Sequence, residues 1–135
     1  MPLLLNTGML YALADRRDAW HTRVRNYLRS HPDTLLAPVT ILPEVAYLLR
    51  ERIGAHAELA FAQSVAKGEI AVEDLGRRDF ARAGELMSDY DWLGFVDATV
   101  VAVAERLKMS SVATTDRRHF GAVKPVHTER FTVVP

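Results

Sequence analysis

The sequence predicts an α/β domain with a short, mainly parallel central sheet flanked by helices. Short apolar segments alternate with stretches of helical periodicity along the chain. Each intervening stretch is long enough for the crossover helix that joins two parallel strands. The length of 135 residues suits one domain. We therefore expect a single domain over residues 1–135.

The predicted strands are short apolar runs that end at turn-forming residues. The first run ends abruptly at Asn6, which Thr7 and Gly8 follow. The third run begins after Gly68, which closes the preceding helix. The predicted strands are residues 2–5, 34–39, 70–72, 111–115 and 131–134.

Helices are predicted between these strands because apolar residues recur there at helical spacing. Asp18 and Thr40 are predicted N-caps, and Gly54 is a predicted break between two helices. The predicted helices are one that contains Met9 and Leu13, then residues 18–30, 41–53, 55–67, 77–90 and 96–107, with a turn or short helix over 116–120.

Two of these helices carry specific predictions about burial. The helix over 77–90 is expected to turn Phe80, Ala83, Leu86 and Met87 inward. The helix over 96–107 is apolar almost all round, which indicates a helix buried on most of its sides.

Composition excludes several classes of protein. The 17 basic and 17 acidic residues give zero net charge, and hence no long-range attraction to nucleic acid. The absence of cysteine excludes disulfide scaffolds, thiolate metal sites and cysteine nucleophiles. No apolar run approaches the roughly 20 residues needed to cross a bilayer, and the N-terminus lacks the pattern of a secretion signal. We therefore expect a cytoplasmic protein.

Four polar residues are predicted to meet at one edge of the sheet. Ligands of open parallel sheets bind beyond the carboxyl ends of the strands. Asn6 ends the first strand, Asp116 ends the fourth, Glu44 lies in the first turn of the helix after the second, and Asp97 begins the buried helix. Each taken alone has a plainer explanation as a turn former or a favourable charge at a helix N-terminus. Together they predict a site for Mg²⁺ or Mn²⁺, which prefer oxygen ligands.

Asp97 and two threonines support this prediction. Asp97 shares a helix face with apolar residues such as Val100 and Val101, so its charge must be neutralised, paired or metal-bound. Thr114 and Thr115 precede Asp116 and are placed to hydrogen-bond the carboxylates or a metal-bound water. An equally good interpretation is that they are ordinary β-branched strand residues.

Three segments resemble the motifs of PIN-domain ribonucleases. They are LLLNTGMLYALADRRDAWH, PVTILPEVAYLLRERIG and LGFVDATVVAVAERLKMSSVATTDRRHFG, and together they extend over essentially the whole chain. The last segment is the most specific. The size of the chain and its TTDRRHF sequence are most similar to the VapC toxins of VapBC toxin-antitoxin modules. The resemblance implies a PIN-like fold.

The resemblance places the acidic quartet of the family on Asn6, Glu44, Asp97 and Asp116, with Thr114 as the polar companion of the last. It implies that these residues hold one or two Mg²⁺ or Mn²⁺ ions. It also implies cleavage of structured RNA by an activated water, in transfer RNA or a ribosomal RNA loop, leaving a 5′-phosphate and a 3′-hydroxyl. Asn6 departs from the family, which has Asp there. The other motifs are intact, which favours an introduced, inactivating substitution over a natural variant with weakened metal binding.

The resemblance further implies an RNA substrate, a VapB-like antitoxin and a homodimer. Tyr47, Leu48 and Leu49 are candidates for the interface, with core packing as the default explanation. His119 is a candidate substrate contact or a surface histidine packed beside Phe120. Arginine's planar guanidinium suits phosphate, although solvated helix faces are the plainer interpretation. The candidate phosphate contacts are Arg17, Arg25, Arg50, Arg117 and Arg118.

Two alternative functions remain open from the sequence. One is a PIN nuclease that processes RNA without being a toxin. The other is a non-catalytic binding module, for which Asn6 is the only support. A phospho-receiver or nucleotide-binding module is disfavoured because the chain has no glycine-rich phosphate loop and no paired acids at the end of the first strand.

Overall fold

The structure is a computed structural model that describes residues 2–135, and it confirms the predicted α/β class. Within that range five strands form one sheet in the order β3-β2-β1-β4-β5, and every neighbouring pair is parallel. The strands are β1 (Leu3–Leu5), β2 (Leu35–Pro38), β3 (Ala71–Glu73), β4 (Ser111–Ala113) and β5 (Thr132–Val134).

Helices connect and flank these strands. A short 3₁₀ helix, Val39–Ile41, precedes α3. The α-helices are α1 (Thr7–Ala14), α2 (His21–Ser30), α3 (Leu42–Arg52), α4 (Ala55–Ala66), α5 (Arg77–Asp89), α6 (Phe95–Arg106) and α7 (Arg117–Ala122). None of the helices in the described part of the chain has the length and apolarity needed to cross a membrane.

The core is built around β1, which lies between β2 and β4. Leu4 pairs with Leu36 on one side and Val112 on the other, and its side chain is fully buried. A strand covered on both faces favours a continuous apolar run over alternation. The uninterrupted run of three leucines therefore forms the central strand.

The prediction for α6 is confirmed, since residues 98–105 are all buried. Two buried carboxylates, Glu105 of α6 and Asp79 of α5, are paired with guanidinium groups near the C-terminal end of α6. Arg82 of α5 lies 2.7 Å from Glu105, and Arg106 lies 2.9 Å from Asp79 of α5. Unpaired buried carboxylates are costly, so these ion pairs hold α5 and α6 in one arrangement and thereby fix the helix that carries Asp97.

The two predicted caps are wrong. Helix α2 begins at His21 with Trp20 as its N-cap, and the Asp18 carboxylate accepts a hydrogen bond from the Trp20 amide in the preceding turn. Thr40 lies inside the 3₁₀ helix, and its hydroxyl bonds to Thr99 on α6. Both side chains have the right chemistry for capping, but nearby turn and tertiary contacts use them instead.

Of the four α5 residues predicted to point inward, two are buried and two are exposed. Ala83 and Leu86 are buried, whereas Phe80 and Met87 are 41% and 37% exposed. Phe80 stacks on Phe95 with a distance of 6.1 Å between ring centroids. Its apolar contact is therefore made at the surface, beside the core.

Candidate acidic site

Asn6 occupies the predicted position at the carboxyl end of the central strand. Its backbone N–H donates to the carbonyl oxygen of Ala113 at 3.2 Å, which continues the pairing between β1 and β4. Its side chain is buried and serves as the N-cap of α1, because Oδ1 accepts a hydrogen bond from the Met9 amide at 3.0 Å. The amide group is therefore held in one orientation.

Asp116 lies beyond the end of β4 and caps α7. Its Oδ1 accepts the His119 backbone N–H at 3.1 Å, and its Oδ2 lies 2.6 Å from His119 Nδ1. The Asp116 backbone N–H donates to Thr114 Oγ1 at 2.8 Å. Thr114 is fully buried, and its hydroxyl binds the backbone of Asp116. We predicted a hydrogen bond to a carboxylate or to a metal-bound water instead.

A close approach at Gly8 brings the ends of β1 and β4 together. A Cβ atom at this position would lie 2.5 Å from Thr115 Oγ1 and 3.7 Å from Asn6 Oδ1. The first distance is too short for any side chain without movement of its neighbour. Gly8 therefore allows the start of α1 to pack against the turn that carries Asp116, and Thr115 is the residue it contacts.

Glu44 and Asp97 lie in the first turns of α3 and α6, as predicted. Two hydroxyl groups join the elements that carry them. Thr99 Oγ1 donates to the Val96 carbonyl at 2.5 Å, so the 2.7 Å contact between Thr40 and Thr99 has Thr40 as the donor. The pair fixes the 3₁₀ helix before α3 against the second turn of α6.

The Asp97 carboxylate at this edge has a perturbed pKa. Burial, and after it the neighbouring charges of Asp116 and Glu44, raise the pKa of Asp97 from its usual 3.8 to about 6, while His119 acts in the opposite direction. Across residues 2–135 the Asp97 carboxylate has no hydrogen-bond or ion-pair partner. The structure therefore places the Asp97 carboxylate within electrostatic range of Glu44 and Asp116, with His119 acting against the repulsion.

This arrangement suits a hard divalent cation in donor type and in charge. The available donors are carboxylate and amide oxygens, which Mg²⁺ and Mn²⁺ prefer. The side chain of Thr7, next to Asn6, adds a buried hydroxyl without a hydrogen-bond partner among the described residues. Among residues 2–135, no three His, Asp or Glu side chains lie close enough together to enclose an ion. Binding would therefore require the carboxylates to draw together.

Two of the candidate phosphate contacts border this site. Arg117 and Arg118 are the first residues of α7 and directly follow Asp116; both are exposed. The Arg117 guanidinium donates to the backbone oxygen of Pro135. The Arg118 guanidinium, in contrast, has no hydrogen-bond or ion-pair partner among the described residues.

The other three arginines are not brought to the acidic edge. Arg50, on α3, is paired with Glu58 at 2.7 Å. Asn6 is the N-cap of α1, whereas Arg17 follows the C-terminal end of that helix and Arg25 lies on α2. Arg25 lines a separate cavity there with Arg16, His21 and Leu13.

Several residues of the site had no signal in the sequence. Thr40 and Thr99 are 59 positions apart, and nothing local predicts that their hydroxyls meet. Trp92 was overlooked as well, although it lies only five positions before Asp97; its indole stacks on the His119 ring. At the proposed interface, Tyr47 is 62% exposed, whereas Leu49 belongs to the core.

Comparison with known proteins defines the class of protein. The PIN domain family matches residues 3–124. The chain therefore belongs to the PIN-domain family. It is a homologue of the VapC-type ribonuclease toxins: Ribonuclease VapC26 of Mycobacterium tuberculosis is 31% identical over 135 residues, which cover 98% of this chain and 100% of that protein.

Solved structures agree with this assignment. Mycobacterium tuberculosis VapC20, a sarcin-ricin loop cleaving toxin, superposes with a TM-score of 0.83 and 26% identity, covering 93% of this chain and 98% of its own. VapBC2 from Rickettsia felis, bound to a DNA fragment from its promoter, has a TM-score of 0.71 over 100% of both chains. Its identity of 12% supports the fold alone.

Proposed function

We propose that this protein is a metal-dependent endoribonuclease toxin that cleaves structured RNA, and that Asn6 limits the activity of the chain in its present form. The observation that carries this proposal is the environment of the Asp97 carboxylate. This largely buried carboxylate faces Asp116 and Glu44 at the carboxyl edge of the sheet, in a chain homologous to ribonucleases. Such a concentration of negative charge is costly unless a cation or a proton neutralises it.

Each residue of the site has a definite part in this proposal. Glu44, Asp97 and Asp116 would hold Mg²⁺ or Mn²⁺, with the Asn6 amide against them. A cation held there supplies activation of water and stabilisation of the charge that develops on the phosphodiester. His119 orients Asp116 through its Nδ1 contact, and the hydroxyl pair of Thr40 and Thr99 keeps the segments before Glu44 and after Asp97 together.

Asn6 explains why activity should be weak. Its Oδ1 already accepts the Met9 amide, so the oxygen that could face a cation is shared with the helix cap. An aspartate at this position could accept the same hydrogen bond with one oxygen and present a second, negatively charged oxygen to the cation. The Asn6→Asp change is therefore expected to strengthen the site without disturbing α1.

The proposed substrate is an exposed loop of transfer RNA or ribosomal RNA. VapC20, at 26% identity, is a sarcin-ricin loop cleaving toxin. Arg117 and Arg118 flank Asp116 and are the candidate phosphate contacts nearest the proposed cleavage point. Arg17, Arg25 and Arg50 would contact only parts of a large RNA that extend away from the acidic edge.

We further propose that the chain forms a homodimer and binds a VapB-like antitoxin in the cytoplasm, where its RNA substrates are found. Related VapBC proteins have been solved as toxin-antitoxin assemblies. An apolar groove of about 380 Å³ between α3 and α4 is available for such contacts, and Tyr47 on α3 is largely exposed. Light scattering of the chain alone, and of the chain co-expressed with an antitoxin, tests both statements.

The decisive experiment compares the chain with its Asn6→Asp form. Each is incubated with total bacterial RNA in Mg²⁺ or Mn²⁺, and new 5′-phosphate ends are mapped. We expect discrete cleavage by Asn6→Asp, much weaker cleavage by the unaltered chain, and none with a chelator. If neither form cleaves RNA, although both are folded and free of any antitoxin, the proposal is contradicted and a non-catalytic binding role is favoured.

Glu44→Gln and Glu51→Gln, each made in the Asn6→Asp background, provide a matched control. Glu51 lies two turns beyond Glu44 on the same face of α3, and both are exposed. Cleavage should fall strongly with Glu44→Gln only. Equal loss in both would mean that the assay reports general surface charge.

A further inference from the structure

Two aromatic rings stack beside the acidic site. Trp92 lies in the loop before α6, five positions ahead of Asp97, and His119 lies three positions after Asp116. Their ring centroids are 5.1 Å apart and their planes differ by 19°. The loop that leads to one carboxylate is thus joined to the helix that follows the other.

The stack is held firmly but is not covered. Tyr90 packs against Trp92 with a centroid distance of 5.4 Å and a plane angle of 59°, and its hydroxyl accepts the Lys124 amide at 3.1 Å. His119 is anchored to Asp116 through Nδ1. Even so, Trp92 is 41% exposed and the His119 side chain is 46% exposed. Contacts on several sides therefore orient an aromatic surface that remains open to solvent.

We propose that Trp92 and His119 form an aromatic platform on which an unpaired RNA base next to the cleaved phosphodiester stacks. This inference rests on the proposed ribonuclease function and specifies how that site selects its substrate. Because His119 contacts Asp116, a nucleotide whose phosphate reaches Asp116 has its base or a neighbouring base within reach of the platform.

The chemistry of the platform determines its selectivity. Every base has a π-face, so stacking on an aromatic side chain tolerates all sequences but requires a base that is free of its neighbours. The platform therefore favours loops and bulges over paired RNA. It supplies selection by structure, which the net charge of zero cannot supply.

The two tryptophans of the chain make a direct test possible. Trp20 is the N-cap residue of α2 and follows the C-terminal end of α1, with the Arg23 guanidinium 4.9 Å from its ring centroid. In Trp20→Phe the only indole is Trp92; in Trp92→Phe the only indole is Trp20. Both forms are titrated with an RNA stem-loop in the presence of a chelator, so that binding is measured without cleavage, and tryptophan fluorescence is recorded.

We expect the stem-loop to quench the fluorescence of Trp20→Phe and to leave that of Trp92→Phe unchanged. A fully paired RNA of the same length should quench much less. By electrophoretic mobility shift, Trp92→Ala should bind the stem-loop about 5- to 100-fold more weakly than the unaltered chain, whereas Trp92→Phe should keep most of the affinity. Circular dichroism of each variant confirms that it is folded.

The outcomes separate the platform from the function on which it rests. Stem-loop binding with no quenching of Trp92, and with full affinity in Trp92→Ala, would overturn the platform and leave the ribonuclease proposal intact. Equal quenching by paired and unpaired RNA would also overturn it. Failure of every form to bind RNA, together with no cleavage by Asn6→Asp, would overturn both.

Discussion

Asp97→Asn is expected to stabilise the fold at neutral and alkaline pH while abolishing activity. Asn has nearly the same shape as Asp, and within residues 2–135 no hydrogen bond or ion pair to the Asp97 carboxylate would be lost. What the substitution removes is a largely buried negative charge that faces Asp116 and Glu44. A residue kept for function at the expense of stability should behave in this way.

The magnitude follows from the pKa of Asp97, which is raised from 3.8 to about 6. At pH 8 the group is ionised in both states, and the shift corresponds to about 3 kcal/mol of destabilisation of the folded protein. As pH falls through 6, the folded protein takes up the proton first, and the penalty declines to roughly half of its value at pH 8 by pH 5 and to a small fraction of it near pH 4. The raised pKa therefore favours the folded protein at low pH relative to high pH. This relative stabilisation is lost as the pH rises through 6.

Urea denaturation of both proteins at several pH values measures this difference. We expect the free energy of unfolding of Asp97→Asn to exceed that of the unaltered chain most at pH 8 and to converge with it near pH 4. Asp89→Asn removes an exposed carboxylate at the last residue of α5 and serves as the matched control. A variant that is equally stable or less stable at pH 8, or a difference independent of pH, would refute the reasoning.

Three further predictions concern the contacts that shape the site, and each is checked by denaturation. Gly8→Ala should destabilise the fold by about 1–3 kcal/mol because its Cβ would lie 2.5 Å from Thr115 Oγ1, and Thr115→Ala should recover much of that loss; a neutral Gly8→Ala would contradict the close approach. Thr99→Val should lower the free energy of unfolding by about 1–2 kcal/mol. Adding Thr40→Val should lower it little more because the two hydroxyls share one hydrogen bond, and full additivity of the two changes would contradict that bond. Arg82→Met should cost about 3 kcal/mol by leaving the Glu105 carboxylate without its guanidinium, whereas Glu85→Gln should be nearly neutral; similar costs would argue against a buried pair.

The order of strands and helices along the chain, and the placement of the acidic residues at strand ends and helix starts, could be predicted from local signals. The leucine run that ends at Asn6 and the apolar helix that begins near Asp97 are features of neighbouring residues. Parallel strands then place their carboxyl ends at one edge by necessity. The positions of Asn6, Glu44, Asp97 and Asp116 at strand ends and helix starts therefore followed from the sequence.

The remaining details depend on contacts between distant segments. Thr40 was predicted to cap a helix, yet its partner is a hydroxyl 59 positions away. Phe80 was predicted to be buried from its helical spacing, yet it stacks on Phe95 at the surface. The stack of Trp92 on His119 joins a loop to a helix far along the chain. Helical periodicity and capping preferences describe neighbours only, so they could not predict these pairs.

The most direct test of the cation site is a calorimetric titration with Mn²⁺ of three proteins: the unaltered chain, Asn6→Asp, and Asn6→Asp combined with Asp97→Asn. We predict that Asn6→Asp binds Mn²⁺ at least about tenfold more tightly than the unaltered chain, and that the added Asp97→Asn change removes this binding. Equal affinity in all three would contradict the claim that Asn6, Glu44, Asp97 and Asp116 form one cation site.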